Sequence, residues 1–267
     1  FSDCEQFSPQ GYVVRVDRAG NNLFGDINEV NLIMTEAYYH QCDIEKEISK
    51  FFLEKYSNAA EDVRALMEQT EDILIGTFYL KGYYFTELSL FPSLNHCKNH
   101  FYFDILREQC QIGSDEWFIP EKWNRGTIDV LIAEKERVVD AAKNLLYMLE
   151  KLEEKIEEQA YQKLWVKFCN LKFVTEIWHL LTLVLRNYTR CFEFEMQQYE
   201  ELMNESIEKL LQKKNEAIAV LHDDFYCMNS SHVNGNEKND RITQFVDDLR
   251  ECFRAEKRIT EEIKSED

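Results

Sequence analysis

The side chains best suited to chemistry in this chain are few and scattered. His96 and His100 stand four apart with Cys97 beside them, and on a helix that spacing turns both imidazoles toward one metal ion. Most zinc sites need three protein ligands and no third is evident, so the alternative reading is a surface histidine pair near a cysteine bridge. His40 near Cys42, and His222 beside Asp223 and Asp224, read as solvent-facing or capping residues, not acid–base catalysts. The pairs Glu153–Glu154 and Glu157–Glu158 imitate a carboxylate dyad, but adjacent helix positions diverge by about 100° and do not share a site. The chain carries no HExxH, no GxSxG, no glycine-rich phosphate loop and no EF-hand pattern. The expectation is a protein that is not an enzyme, with no catalytic residue, no cofactor and no metal ligand.

Eight cysteines, Cys4, Cys42, Cys97, Cys110, Cys169, Cys191, Cys227 and Cys252, are even in number and show no CxxC pair or other metal-ligand spacing. They point to disulfides in an oxidising compartment, with buried free thiols as the alternative. Helix geometry removes some pairings. Cys169 and Cys191 on one helix would lie roughly 30 Å apart, against a limit of about 7 Å between bridged Cα atoms. The bridges are expected to join distant helices, and spacing does not select among them. Three acceptor triplets for N-glycosylation, at Asn187, Asn204 and Asn229, also suit a secreted protein, as does a chain opening at Phe1 without a charged-then-apolar leader.

The elements that must position these residues are long helices. All three prolines and seven of the eight glycines lie at or before residue 126, and neither type occurs from Thr127 to Asn234. Residues 127–157 repeat Leu131, Val138, Ala142, Leu145, Leu149, Leu152 and Ile156 at alternating threes and fours, with Lys135 as the one polar interruption. A second helix over about 160–186, through Trp165, Phe168, Phe173, Trp178, Leu181 and Leu185, is apolar around much of its circumference and predicts a central, buried element. A third covers about 191–226, and a fourth begins near Asn239 or Asp240, both good caps, after a polar loop over 228–239. In the first half, the pattern predicts one long helix over 27–56, another over 59–90, and a short one around His100 to Gln109. Residues 114–126 read as an aromatic-packed connection, and Tyr12 to Val16 as an extended N-terminal arm.

A formal charge of −19 disfavours nucleic acid, which is bound through clustered Lys and Arg. The net charge is −10 over 1–126 and −9 over 127–267, so charge marks no domain boundary. The expectation is a single all-α domain over 1–267, with halves 1–126 and 127–267 closely packed. Apolar runs are short, and even Leu180 to Leu185 is interrupted by Thr182, which predicts no membrane span. The aromatic groups Tyr38–Tyr39, Phe51–Phe52, Tyr83–Phe85 and Phe101–Phe103 suit core packing, the wall of an apolar ligand cavity, or an exposed protein-binding patch.

An acidic, helical, cysteine-bearing chain of this size, opening Phe1-Ser-Asp-Cys4 and ending in the charged Ser265-Glu-Asp267, resembles the culicine mosquito thirty-four-kilodalton salivary secreted protein family. The resemblance covers the whole chain in size, cysteine use and helical character. It implies injection into host skin and alteration of host immune or haemostatic responses by binding a host protein or cell surface, with no catalytic residue to carry over. The rival expectation is a helical carrier that sequesters a small apolar or cationic mediator between its helices.

Overall fold

A computed structural model describes residues 25–80, 83–86, 91–99, 128–193, 197–225 and 240–266. Among the described residues the chain is an all-α bundle with one small hairpin. Its helices are α1 (Gly25–Tyr39), α2 (Ile44–Tyr56), α3 (Ala60–Glu68), α4 (Thr70–Phe78), α5 (Leu94–Asn99), α6 (Ile128–Glu150), α7 (Glu158–Glu193), α8 (Gln197–Leu221) and α9 (Arg241–Glu266). The expected N-terminal arm, the helix around His100 to Gln109, the 114–126 connection and the 228–239 loop lie outside the described residues.

The axis is α7, which at about 1.5 Å per residue is some 54 Å long over its 36 residues. Packed along it are α6 and α8, and one cluster of buried apolar residues runs from Phe52 on α2 to Phe253 on α9. The predicted stripe on α6 is buried as expected, from Leu131 through Leu149, and Leu152 and Ile156 continue it through a 3₁₀ turn, Glu153–Lys155. Helix α7 is long and apolar enough to cross a membrane by length and composition, with mean hydropathy 1.3 over 18 residues, and 78% of that window is buried against the rest of the bundle. Counting uninterrupted apolar runs missed this, because Thr175 and Thr182 lower the hydropathy little and turn their hydroxyls onto their own helix, at Lys172 O and Trp178 O.

The first half departs from its expected two long helices. The pattern over 27–56 is cut at residues 40–43, where Gln41 takes φ 56° and Asp43 caps α2 by accepting from Lys46 N at 3.2 Å. Ser57, at φ 48°, ends α2. The stretch 59–90 divides again where Thr70 turns its hydroxyl back to Met67 O, and it leaves helix altogether at Tyr79. There Tyr79–Leu80 and Tyr83–Tyr84 pair antiparallel, Tyr79 opposite Tyr84 and Leu80 opposite Tyr83. Tyrosine favours the half-buried pleated surface of a strand more than an exposed helix.

Lys135, the polar interruption in α6, is 1% exposed. Its Nζ donates to Gly76 O at 2.6 Å, and to Thr77 O and Tyr79 O at 2.7 Å each. Two of these carbonyls belong to the last turn of α4, which has no intrahelical donors for them and carries partial negative charge. Burial pushes the Lys135 ammonium down to about 7, with Glu134 opposing it. The three oxygens match the three donors of the charged form. The approach of α4 to α6 is close enough that a Cβ at Gly76 would lie 2.4 Å from Val138 Cγ1.

Above this contact the core is aromatic. Trp178 on α7 meets Phe78 at 5.1 Å and Phe91 at 5.5 Å between ring centroids, Phe91 meets Phe245 of α9 at 5.5 Å, and Trp178 Nε1 donates to Phe85 O at 2.6 Å. Such pairs add roughly 0.5–1.5 kcal/mol each beyond burial. Polar ties fix the other neighbours: Glu176 of α7 meets Lys143 of α6 at 3.4 Å and Lys213 of α8 at 3.3 Å. Lys214 of α8 reaches Asp240 at 2.6 Å and Thr243 at 2.7 Å, while Asp240 caps α9 as expected through Thr243 N.

Replacing Lys135 with Met leaves three carbonyl oxygens without a donor and should lower the unfolding free energy by about 3 kcal/mol, read by urea denaturation. The same change at exposed Lys163 should stay within about 0.5 kcal/mol. Below the Lys135 value of about 7, His179 supplies the pH dependence. Burial holds its imidazole below the ordinary 6.5, with Lys135 and Lys143 adding to the effect and Glu136 opposing it. The unfolded state therefore binds more protons below 6.5, and stability falls as pH drops from 6.5 through the depressed value. Urea midpoints measured from about pH 7 down to about pH 5 should show that loss, and His179→Gln should flatten it.

Candidate functional site

Of the histidine–cysteine constellation, the structure describes His96 and Cys97. Ser93 caps α5 by accepting from His96 N at 3.1 Å, and His96 Nε2 lies 2.8 Å from Thr86 O, so the ring pins α5 to the end of the hairpin. His100 lies outside the described residues. Among the described residues no three His, Cys, Asp or Glu side chains are grouped to hold a metal ion. His40 and His222 are exposed, and so are Glu153, Glu154, Glu157 and Glu158.

Among the described residues, a half-open cleft of about 660 Å³ able to hold a ligand lies between the end of α7, the start of α8 and the middle of α9. Each helix contributes for a simple reason of register. On α9, Phe253, Lys257, Thr260 and Glu261 follow at i, i+4, i+7 and i+8 and so share one face. The first two turns of α8 place Gln197, Glu200, Glu201 and Asn204 opposite that face, and α7 ends in Cys191 and Phe192 at the bottom. The Phe192 and Phe253 rings pack at 5.5 Å, with Tyr188 behind both at 5.3 and 6.0 Å.

The cleft is acidic. Lys257 pairs with Glu200 at 2.8 Å, and that hydrogen bond raises its ammonium above the ordinary lysine range. Gln197 Nε2 donates to Glu201 Oε1 at 3.3 Å. Three carboxylates and one ammonium line the cavity, a formal excess of two negative charges. Burial pushes the Cys191 thiol up to about 11, so it stands in the wall protonated. Thr260 spends its hydroxyl on Glu256 O of its own helix. A second hollow, of about 350 Å³ between α1 and α2, is lined by Glu36, Glu47 and Glu54 with Lys50, Phe51 and His40.

Behind the Tyr188 ring, polar groups from three helices meet. The Cys252 Sγ lies 2.7 Å from Lys98 Nζ of α5 and 3.3 Å from the Tyr188 hydroxyl of α7, and Tyr188 donates to Glu256 Oε2 at 2.5 Å. Burial, with the hydrogen bonds to Cys252 and Glu256, pushes the Tyr188 phenol far above its ordinary range. Among the described residues no two cysteines are joined: Cys42 is exposed, Cys97 and Cys169 are buried, Cys191 and Cys252 half-buried. Cys169 and Cys191 share α7, as the sequence expectation required for excluding their pairing. Cys4, Cys110 and Cys227 lie outside the described residues.

The sequence reading passed over the cleft. Its α9 face is periodic and readable, but the partners of that face come from two other helices. No local spacing announces that meeting.

Of the three glycosylation triplets, Asn229 lies outside the described residues. Asn204 is exposed on the cleft rim, whereas Asn187 is buried in α7 with its Nδ2 turned to Ser206 Oγ at 3.5 Å. For full-length protein made through a secretory route, mass spectrometry after glycosidase treatment should find the glycan at Asn204 and an unmodified Asn187. Compared with protein families, curated proteins and solved structures, the chain shows no match.

Proposed function

We propose that this is a secreted, non-enzymatic binding protein that engages host proteins or cell surfaces and modulates host immune or haemostatic responses, as its resemblance to the salivary family implies. The observation that carries a binding role is the open acidic cleft, whose carboxylates are exposed or paired. The formal charge of −19 favours encounter with a basic partner. Interhelical disulfides belong to the same reading: the five described cysteines sit on or beside four different helices, and Cys4, Cys110 and Cys227 complete an even set.

The cleft also favours the second reading, a carrier that sequesters a small apolar or cationic mediator. A volume of about 660 Å³ is in the range of small-molecule sites. Native mass spectrometry of protein from its source separates the two: a stoichiometric small-molecule adduct supports the carrier, and its absence favours macromolecular binding.

Thiol titration of the secreted chain under denaturing, non-reducing conditions should find fewer than the eight thiols present in the sequence. Eight free thiols would overturn the secretory assignment. In surface plasmon resonance against plasma proteins and leukocyte membranes, binding should weaken as ionic strength rises from about 0.05 to about 0.3 M. Saturable binding to no host component would defeat the host-interaction reading.

A further inference from the structure

Resting on the carrier reading, we propose that the cleft between α7, α8 and α9 is a site for an organic ammonium with an aromatic or apolar body. Two features of the lining, one apolar and one charged, make different demands on the same ligand. The Phe192 and Phe253 rings, 5.5 Å apart and steeply inclined to each other, form an apolar wall, and the Cys191 side chain extends it. That wall asks for a flat or aliphatic group. The rim carries Glu200, Glu201 and Glu261, and the only cation lining the cleft among the described residues is Lys257.

Lys257 is already held by Glu200, and Glu261 adds to the field that favours its charge. An incoming anion would meet two further carboxylates, whereas an incoming ammonium completes the local charge balance through Glu201 and Glu261. A cation placed there also faces aromatic rings whose electron-rich faces attract it. Lys257 Nζ itself sits 6.0 Å from the Phe253 ring centroid, which shows that a positive group is accommodated over this wall. Charge complementarity on an apolar floor therefore selects an amphipathic cation over a neutral or acidic molecule of the same shape.

The test is calorimetry on the full-length protein near neutral pH with three probes of one shape: phenethylammonium, phenethyl alcohol and 3-phenylpropanoate. The expected result is one phenethylammonium per chain, bound at least about tenfold more tightly than the alcohol, with no measurable binding of the carboxylate. Replacing both exposed carboxylates, Glu201→Gln with Glu261→Gln, should weaken phenethylammonium about tenfold while leaving the alcohol and the thermal midpoint unchanged. Equal binding of alcohol and ammonium, preference for the carboxylate, or no saturable phenethylammonium binding would each overturn the proposal. The carrier reading fails separately, when protein from its source retains no small molecule; a retained neutral or acidic molecule would leave the carrier standing and remove the ammonium assignment.

Discussion

An ammonium buried where a helix ends is the constraint on which this structure turns. Helix α4 stops at Phe78 with its last carbonyls directed into the protein, and those groups cannot be left dry and unpaired. Lys135 answers them from α6, and in doing so fixes where α6 lies, because Gly76 and Val138 on either side admit no additional atom. The rest of the core assembles above that seal. Phe78 can present its ring to Trp178, Trp178 can satisfy its indole on Phe85 O, and Phe91 can bridge to α9. A lysine that looks like a flaw in an apolar stripe is thus the reason the stripe has something definite to pack on.

The helices of the second half were legible because period and burial agree there. Leu131 to Leu149 on α6, Met203 to Leu221 on α8, and Ile242 to Phe253 on α9 are all buried where their spacing placed them. Breaks in the first half were harder to see, because each is decided by a single residue whose effect is conformational. Asp43 begins a helix inside an apolar pattern that would otherwise run on, and Gln41 and Ser57 adopt positive φ without being glycine. The hairpin at Tyr79–Tyr84 fills a stretch whose composition suits helix and strand alike.

Less of the candidate site could be read from sequence. His96 was visible as a possible ligand, yet a carbonyl ten residues away claims its ring nitrogen. Spacing along a helix reports which side chains share a face; it says nothing of which backbone group waits opposite. The cleft has the same character in reverse. Glu200 and Glu201 look like ordinary solvated charges on α8, and only the arrival of Phe253 and Lys257 from some fifty residues further on gives them a common space.

The cleft's charges stand on exposed, mid-helix positions, and its aromatic floor belongs to the core. Glutamate, glutamine, lysine and arginine have similar helix propensities, so exchanging them at Glu201 or Glu261 alters what the cavity attracts while barely taxing the bundle that holds it. The floor has no such freedom, since Phe253 contacts both Tyr188 and Phe192. The charge of the cleft and the packing beneath it are thereby carried by separate sets of residues. Substitutions at those positions therefore reverse the electrostatic character of the cavity while leaving its walls and the bundle around them in place.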